Sequence, residues 1–382
     1  MSLKLKDQHI AVFGERGSGK TVLISSFYGM TQDPSYDTSL YAVRSESTKQ
    51  GNALLANYLQ MLEDDTPPLS TAAGDAQSFT FVLDLTGEAR PKEFDGLRLV
   101  WHDYPGEWFT EDPSTQDPEE LEVRVRTFRN LMRSDVAFVL VDGQKLLDYA
   151  GQEEKYLKLL LADLRNELLN RKDQILLDGE KQERFPRIWV FALSKADLHP
   201  DMDVQRFRNL MVKKAQGDMA ALGDALKEFV TTDEALSIGE DFILLSSAKF
   251  EPGAIRVHER VGLDLILPVA TVLPLERVAQ WARKYDISAK VLASLVENID
   301  DYLPKLMTAL QIVATKIPKV GPLVSLWLIP ALEQLEPVAK DQLEHAYRAA
   351  LARKDYGAAT LARFGRDLAE GEERKVLRRG GQ

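Results

Sequence analysis

Short apolar runs alternate with helical spacings over the first two-thirds of the chain. His9 to Phe13 (HIAVF) predicts a strand, followed by a glycine-rich turn and a helix over Thr21 to Tyr28. Ser47 to Leu62 predicts an inserted helix with Leu54, Leu55, Tyr58, Leu59 and Leu62 on one face. Phe79 to Leu85 and Leu97 to His102 predict two strands. Asp117-Pro118-Glu119-Glu120 marks a helix start, with a capping Asp, Pro at the first helical position and acidic residues in the first turn. Val136 to Val141 (VAFVLV) is apolar throughout, as a central parallel strand buried on both faces must be. Tyr156 to Leu169 predicts a helix, and Ile188 to Leu193 and Phe242 to Leu245 two more buried strands. Pro274 to Arg283 predicts a closing helix with its proline in the tolerated first turn. Strands alternating with helices predict a doubly wound, mainly parallel α/β sheet.

After about Tyr285 the strand signals stop. Val291, Leu292, Leu295, Val296, Ile299, Leu303, Leu306, Leu310 and Val313 recur at helical spacing, as do Leu335, Val338, Leu343, Tyr347 and Leu351. The expected organisation is an α/β domain with helical insertions over residues 1–283 and an all-helical module over 284–382. Val320 to Leu332 (VGPLVSLWLIPAL) falls short of the roughly 18 residues of a spanning helix and is interrupted by Pro322 and Pro330. It reads as a buried helix–loop–helix corner, with a peripheral membrane or partner contact as the alternative. Glu372 to Gln382 reads as a solvated, frayed tail. The apolar run after Met1 to Gln8 is too short for a signal-peptide core.

Composition narrows the chemistry. The 382 residues contain no cysteine, which excludes disulfides, cysteine-ligated zinc, iron–sulfur clusters and a thiol nucleophile, and fits a reducing cytoplasm. The 5 histidines (His9, His102, His199, His258, His345) show no metal-ligand spacing. With 48 basic and 59 acidic residues the net charge is −11, which disfavours general affinity for nucleic acid or anionic lipid. The remaining chemistry needs only Lys, Thr, Asp and backbone amides.

Gly14-Glu15-Arg16-Gly17-Ser18-Gly19-Lys20-Thr21 matches G-x-x-x-x-G-K-[ST] in full, after a predicted strand and at the start of a predicted helix. Glycines let the backbone curl around phosphate, and the freed N–H groups and helix N-terminus hold the anion. Gly14, Arg16, Gly17, Ser18, Gly19, Lys20, Thr21 and Val22 form the expected cradle. Lys20 is expected on the β- and γ-phosphates and the Thr21 hydroxyl on Mg²⁺. Arg16 reads as a solvent-facing loop side chain. Asp103-Tyr104-Pro105-Gly106 fits D-x-x-G at the end of a strand, with Asp103 reaching Mg²⁺ through water and the Gly106 N–H meeting the γ-phosphate. Ser194-Lys195-Ala196-Asp197 fits the [N/T]-K-x-D guanine-reading element except for Ser194. A carboxylate at Asp197 accepts from guanine N1–H and N2, which adenine cannot match, and Lys195 lies along the base. Ser247-Ala248-Lys249 fits the short S-A-K element whose backbone N–H contacts guanine O6.

These elements, in this order and each after a predicted strand, resemble the translation-factor-related (TRAFAC) GTPases. Leu97 to Trp108, with Tyr104-Pro105-Gly106-Glu107-Trp108, is similar to the YPGEW signature of bacterial YcjX-like and double-GTPase-type proteins. The resemblance covers about Lys6 to Arg283. It implies a Ras-like fold, Mg²⁺-dependent GTP and GDP binding, slow hydrolysis, and a switch between two states read by a protein partner. It also implies a switch threonine as ligand to Mg²⁺ and the γ-phosphate. Thr71 is the preferred candidate, with Thr66 and Thr38 as alternatives. Glu107 follows the switch glycine, where a water-positioning glutamine is common. It either orients the attacking water or turns toward Arg124, Arg126 or Arg129. The rate expected without an activator is on the order of 10⁻³ s⁻¹ or slower. An ATPase or P-loop kinase and a non-hydrolysing nucleotide-binding scaffold are the competing classes.

Overall fold

The computed structural model describes residues 5–66, 68, 78–85, 96–103, 118–176, 179–182, 185–231, 233–251, 254–284, 340–352, 354 and 356–380. The apolar run Val320 to Leu332 and the periodic positions Val291 to Val313, Leu335 and Val338 lie outside them. The strands are β1 (Leu5–Phe13), β2 (Tyr41–Ser45), β3 (Ser78–Leu85), β4 (Gly96–Asp103), β5 (Val136–Asp142), β6 (Ile188–Ser194), β7 (Ser237–Leu244) and β10 (Leu377–Arg378), in one 8-stranded sheet ordered β10-β7-β6-β5-β1-β4-β3-β2. The five central strands, β7, β6, β5, β1 and β4, run parallel. At one edge β3 and β2 are antiparallel, and at the other β10 is antiparallel to β7. Lys249–Glu251 (β8) and Ala254–Arg256 (β9) make a separate hairpin. The fold is a P-loop NTPase α/β fold with a mainly parallel sheet flanked by helices.

The central strands are apolar because both of their faces are covered. Ile10 and Val12 of β1, Phe138 and Leu140 of β5, and Ile188 and Val190 of β6 enter one layer. Ala11 and Phe13, Val139 and Val141, and Trp189 and Phe191 enter the other. The period of two along a strand sends alternate side chains to opposite layers. The first layer holds the helices α1 (Lys20–Thr31) and α8 (Ile266–Lys284), joined by α9 (Lys340–Ala352) and α10 (Tyr356–Glu373). The second holds α3 (Pro118–Leu131), α5 (Glu153–Asn170) and α7 (Val204–Lys227). Among the described residues no helix is long and apolar enough to cross a membrane.

Four expectations are corrected or refined. The helix α2 (Thr48–Glu63), capped by the Ser47 hydroxyl, buries Gly51, Leu54, Tyr58 and Met61, while Leu59 and Leu62 stay exposed. Its face is set by α1: a Cβ on Gly29 would lie 2.1 Å from Tyr58 Cγ, so only glycine admits that ring. Pro274 lies in the middle of α8, not in its first turn. The apolar stretch before it, Ile266 to Leu273, is itself helical and buried, and that packing offsets the roughly 3 kcal/mol cost of an internal proline.

Over its described residues, to Gly380, the tail is not frayed. Leu377 and Arg378 pair with Ile243 and Phe242. Arg379 is buried, its Nη1 donating to both Glu276 oxygens at 2.7 Å and its Nη2 to Glu372 Oε2 at 2.6 Å. The C-terminal part therefore adds to its helices a two-residue strand at the edge of the main sheet. The sequence also concealed β2 and the 24-residue α7. In α7, apolar residues are diluted by charge, and at Ala215 the backbone leaves helical geometry (φ −141°, ψ 19°).

Candidate active site

The C-terminal ends of parallel strands are where an open α/β sheet offers a crevice. β1 ends at Phe13 and passes into the glycine loop, which turns into α1 at Lys20. Gly17 (φ 81°) and Gly19 (φ 91°) are left-handed, a conformation that admits the curl only where a Cβ is missing. A Cβ at Gly14 would lie 2.5 Å from the Ser18 hydroxyl, so the loop closes on itself there. Ser18 is buried beneath the loop, Arg16 is exposed at its crest, and Thr21 and Val22 are half-buried in the first turn of α1. The Lys20 ammonium is buried and donates to the carbonyl oxygens of Gly14 at 2.7 Å and Glu15 at 3.2 Å. This is a compact loop with its cation folded over it.

Asp103 ends β4 and pairs in register with Val12 of β1, which places it beside the first residues of the loop. The oxygen donors offered here, the Thr21 hydroxyl and the Asp103 carboxylate, suit Mg²⁺ bound with phosphate. Among the described residues no cluster of three or more His, Asp or Glu makes a self-sufficient metal centre, so phosphate would have to complete the coordination. Gly106, Glu107 and Thr71 lie outside the described residues, as do Tyr104 and Trp108. The alternative switch candidates fall differently. Thr38 is exposed in the loop before β2, and Thr66 follows α2 and accepts from Gln60 Nε2 at 3.0 Å. Of the arginines weighed as partners for Glu107, Arg124 is buried against Glu167 at 3.2 Å and Arg129 Nε donates to Gln174 O at 2.6 Å. Trp101 is in the core, packed against Phe27 at 5.7 Å between ring centres.

The residues of the Ser194–Asp197 and Ser247–Lys249 elements follow β6 and β7. Ser194 ends β6, with its hydroxyl on Val141 O at 3.3 Å. Lys195 takes a left-handed conformation (φ 53°) and its ammonium meets the Asp142 carboxylate at 2.9 Å. Asp197 lies in a single helical turn, Ala196 to Leu198. Its Oδ1 accepts from the Ser246 hydroxyl at 2.6 Å and its Oδ2 from the Phe250 N–H at 3.2 Å. Each carboxylate oxygen has a second lone pair, so both stay able to accept from a base edge. Ala196 N donates to Leu245 O at 3.1 Å, stitching this turn to the segment after β7. Ser247 and Ala248 are buried there. The Lys249 ammonium points to Glu251 at 2.9 Å and Glu259 at 3.6 Å.

Ser246 was missed by sequence reading. Its neighbour Ser247 begins the recognisable S-A-K triplet, and nothing local distinguishes which serine turns toward residue 197. Asp142 was missed too, since it closes a strand read only as VAFVLV. Its signal was the polar Asp-Gly break directly after that run.

The sheet thus gathers at one rim the glycine loop with Lys20, the Asp103 carboxylate and the Asp197 carboxylate. None of the curated proteins matches the chain. The sequence model of the family Double-GTPase 2 matches residues 8–233, which begins inside β1 and runs past the turn that carries Asp197. That match spans more than half of the 382 residues and includes the glycine loop, Asp103 and Asp197. Loop, order of elements and family match agree: the chain belongs to the Double-GTPase 2 family of P-loop GTPases, a membership that implies guanine-nucleotide binding.

Proposed function

We propose that the protein is a Mg²⁺-dependent GTP-binding switch that hydrolyses GTP slowly and passes its nucleotide state to a protein partner through its C-terminal helices. The observation that carries this reading is the convergence of Gly14 to Thr21, Asp103 and Asp197 at the same ends of the parallel strands β1, β4 and β6. The loop amides and the Lys20 ammonium bind the phosphates, with Lys20 giving up the Gly14 and Glu15 carbonyls to do so. Thr21 and Asp103 hold Mg²⁺, which supplies charge neutralisation on the phosphates. Asp197, fixed by Ser246 and Phe250, accepts from guanine N1–H and N2 and leaves a carboxylate unpaired against adenine. Thr71 and Glu107 are assigned to switch closure and to orienting the attacking water.

Two contacts support coupling to the C-terminal helices. Phe364 of α10 meets Tyr41 of β2 edge-on at 5.5 Å, and Arg363 pairs with Asp37 at 2.7 Å, both in the stretch between α1 and α2. The strand after α10 pairs with β7, which delivers the base-reading serines. The helix thus touches the segment that follows the phosphate-loop helix, and the strand directly after it touches the strand that leads to the base. Nucleotide competition tests the reading: labelled GDP should be displaced by GTP and not by ATP, and Asp197→Asn should lose at least tenfold in GDP affinity. Displacement by ATP as efficient as by GTP would overturn guanine selectivity. Single-turnover hydrolysis unchanged by Glu107→Gln would remove Glu107 from the chemistry.

A further inference from the structure

The glycine loop of this chain contains a carboxylate. Glu15 is only 16% exposed, and its own backbone carbonyl is one of the two that hold Lys20, so the residue that anchors the loop lysine carries a largely buried negative charge. A carboxylate carried by an anion-binding loop raises the cost of binding an anion unless a cation offsets it. The cation comes from 130 residues away. Lys145 Nζ donates to Glu15 Oε2 at 2.8 Å and rests over the Tyr156 ring, 5.8 Å from its centre. Asp163 of α5 shares the neighbourhood: burial holds its carboxyl above the usual range, with Glu15 adding to that shift and Lys145 opposing it.

Lys145 stands on a short helix, α4 (Gly143–Asp148), that is fixed to the base-reading loop as well. Asp142 caps α4 by accepting from Gln144 N at 2.9 Å and, through its other oxygen, meets Lys195 Nζ at 2.9 Å. The Asp142 N–H donates to the buried Tyr156 hydroxyl at 2.8 Å. The Gly143 carbonyl lies 2.8 Å from His199 Nε2, and a Cβ on Gly143 would fall 2.7 Å from Ser194 O and 2.8 Å from Lys195 O. The two loops that must grip opposite ends of one nucleotide are thus braced by a single helical turn.

We infer that Lys145 is a positioning residue for nucleotide phosphate: by pairing with Glu15 it cancels the one negative charge inside the phosphate loop and fixes that loop, through α4, to the base-reading turn. The inference rests on the reading of the site as a guanine-nucleotide site. Its ligand chemistry is the di- or triphosphate end, and it assigns α4 a part in binding beyond connecting β5 to α5.

The test is equilibrium binding of GDP, GTP and IDP to the full chain. Lys145→Met should weaken GDP by about tenfold, the effect of one ion pair of about 1.4 kcal/mol, and GTP by more, because GTP carries further charge. The GDP-to-IDP ratio should not change, since base reading is intact. Adding Glu15→Gln to Lys145→Met should restore GDP affinity to within about threefold, because no uncompensated carboxylate remains. Lys145→Arg should bind as wild type. Glu15→Gln alone leaves Lys145 free to face the phosphates and should bind GTP several-fold tighter, which keeps the inference testable if Lys145→Met does not fold. Wild-type affinity in Lys145→Met, a loss that persists in the double variant, or weaker GTP binding by Glu15→Gln each overturns it. Wild-type protein that binds no guanine nucleotide overturns the proposed function along with it. Normal wild-type binding with any of the three results above overturns this inference alone.

Discussion

The five parallel strands and the two antiparallel edges of the sheet are held by different means. Val136 to Val141 and Ile188 to Leu193 are buried on both faces, and their partners are apolar side chains from either layer. The edge strands β2 and β10 carry few such residues. β10 is two residues long and is fixed by charges: Arg379 on Glu276 and Glu372, and the Gly380 N–H on Asp241 at 2.9 Å. β2 is flanked by the Arg363–Asp37 and Arg44–Asp84 pairs and by Tyr41 against Phe364. The centre is specified by hydrophobicity that any neighbour of the right size satisfies. The edges are specified by individual partners, and their loss acts at one place.

This contrast can be broken from the centre first. Trp189→Ala removes a ring stacked on Phe13 at 5.4 Å and a hydrogen bond from its indole to Pro186 O. It should cost roughly 4 to 5 kcal/mol, read as a lower denaturation midpoint with cooperativity kept. At the edge, Arg277→Met strands the fully buried Asp241, which Arg277 meets at 2.6 Å. The expected cost is about 3 to 4 kcal/mol, much of it from the uncompensated carboxylate. Adding Asp241→Asn should recover much of it, whereas no single change in the core rescues Trp189→Ala. If the double variant is no better than Arg277→Met, the edge is held by packing and not by charge.

The smallest effect is a gain. Burial raises the Asp367 carboxyl from 3.8 to about 6, with Glu370 and Asp264 adding to the shift and Arg363 and Arg366 opposing it. Because the folded value lies above the unfolded one, the native state binds the proton more tightly. Stability therefore falls as pH rises from about 4 to about 6 and stays lower above that. Asp367→Asn should abolish this slope and stabilise the protein by about 2 kcal/mol at pH 7, less than the full shift would give because the side chain remains 24% exposed. Denaturant titrations of both proteins at pH 4 and pH 7 check it: equal differences at the two pH values would refute the assignment.

The same contrast explains what could be read in advance. The glycine loop is a local device: its left-handed glycines, its lysine and the start of the helix after it lie within eight consecutive residues, so Gly14 to Thr21 announced itself. Central strands were legible because burial on both faces leaves an unbroken apolar run. β2, with the sequence YAVRS, alternates too weakly and too briefly to stand out, and β10 lies in a string of arginines that reads as tail. The buried face of α2 was not legible because five apolar positions offered two overlapping stripes, and the Gly29–Tyr58 contact selected between them.

By itself the sequence determined the α/β order, the mainly parallel core, the phosphate loop and the positions of Asp103 and Asp197, since each depends on neighbours within a few residues or on the period of a single strand. The tertiary structure alone decided that Ser246 holds Asp197, that the C-terminal residues close the sheet beside β7, and that Lys145 meets Glu15. Those are pairings across 49, 139 and 130 residues for Ser246–Asp197, Gly380–Asp241 and Lys145–Glu15. Only the packed layers that bring such distant segments together choose among the many serines, arginines and lysines with equal local claim.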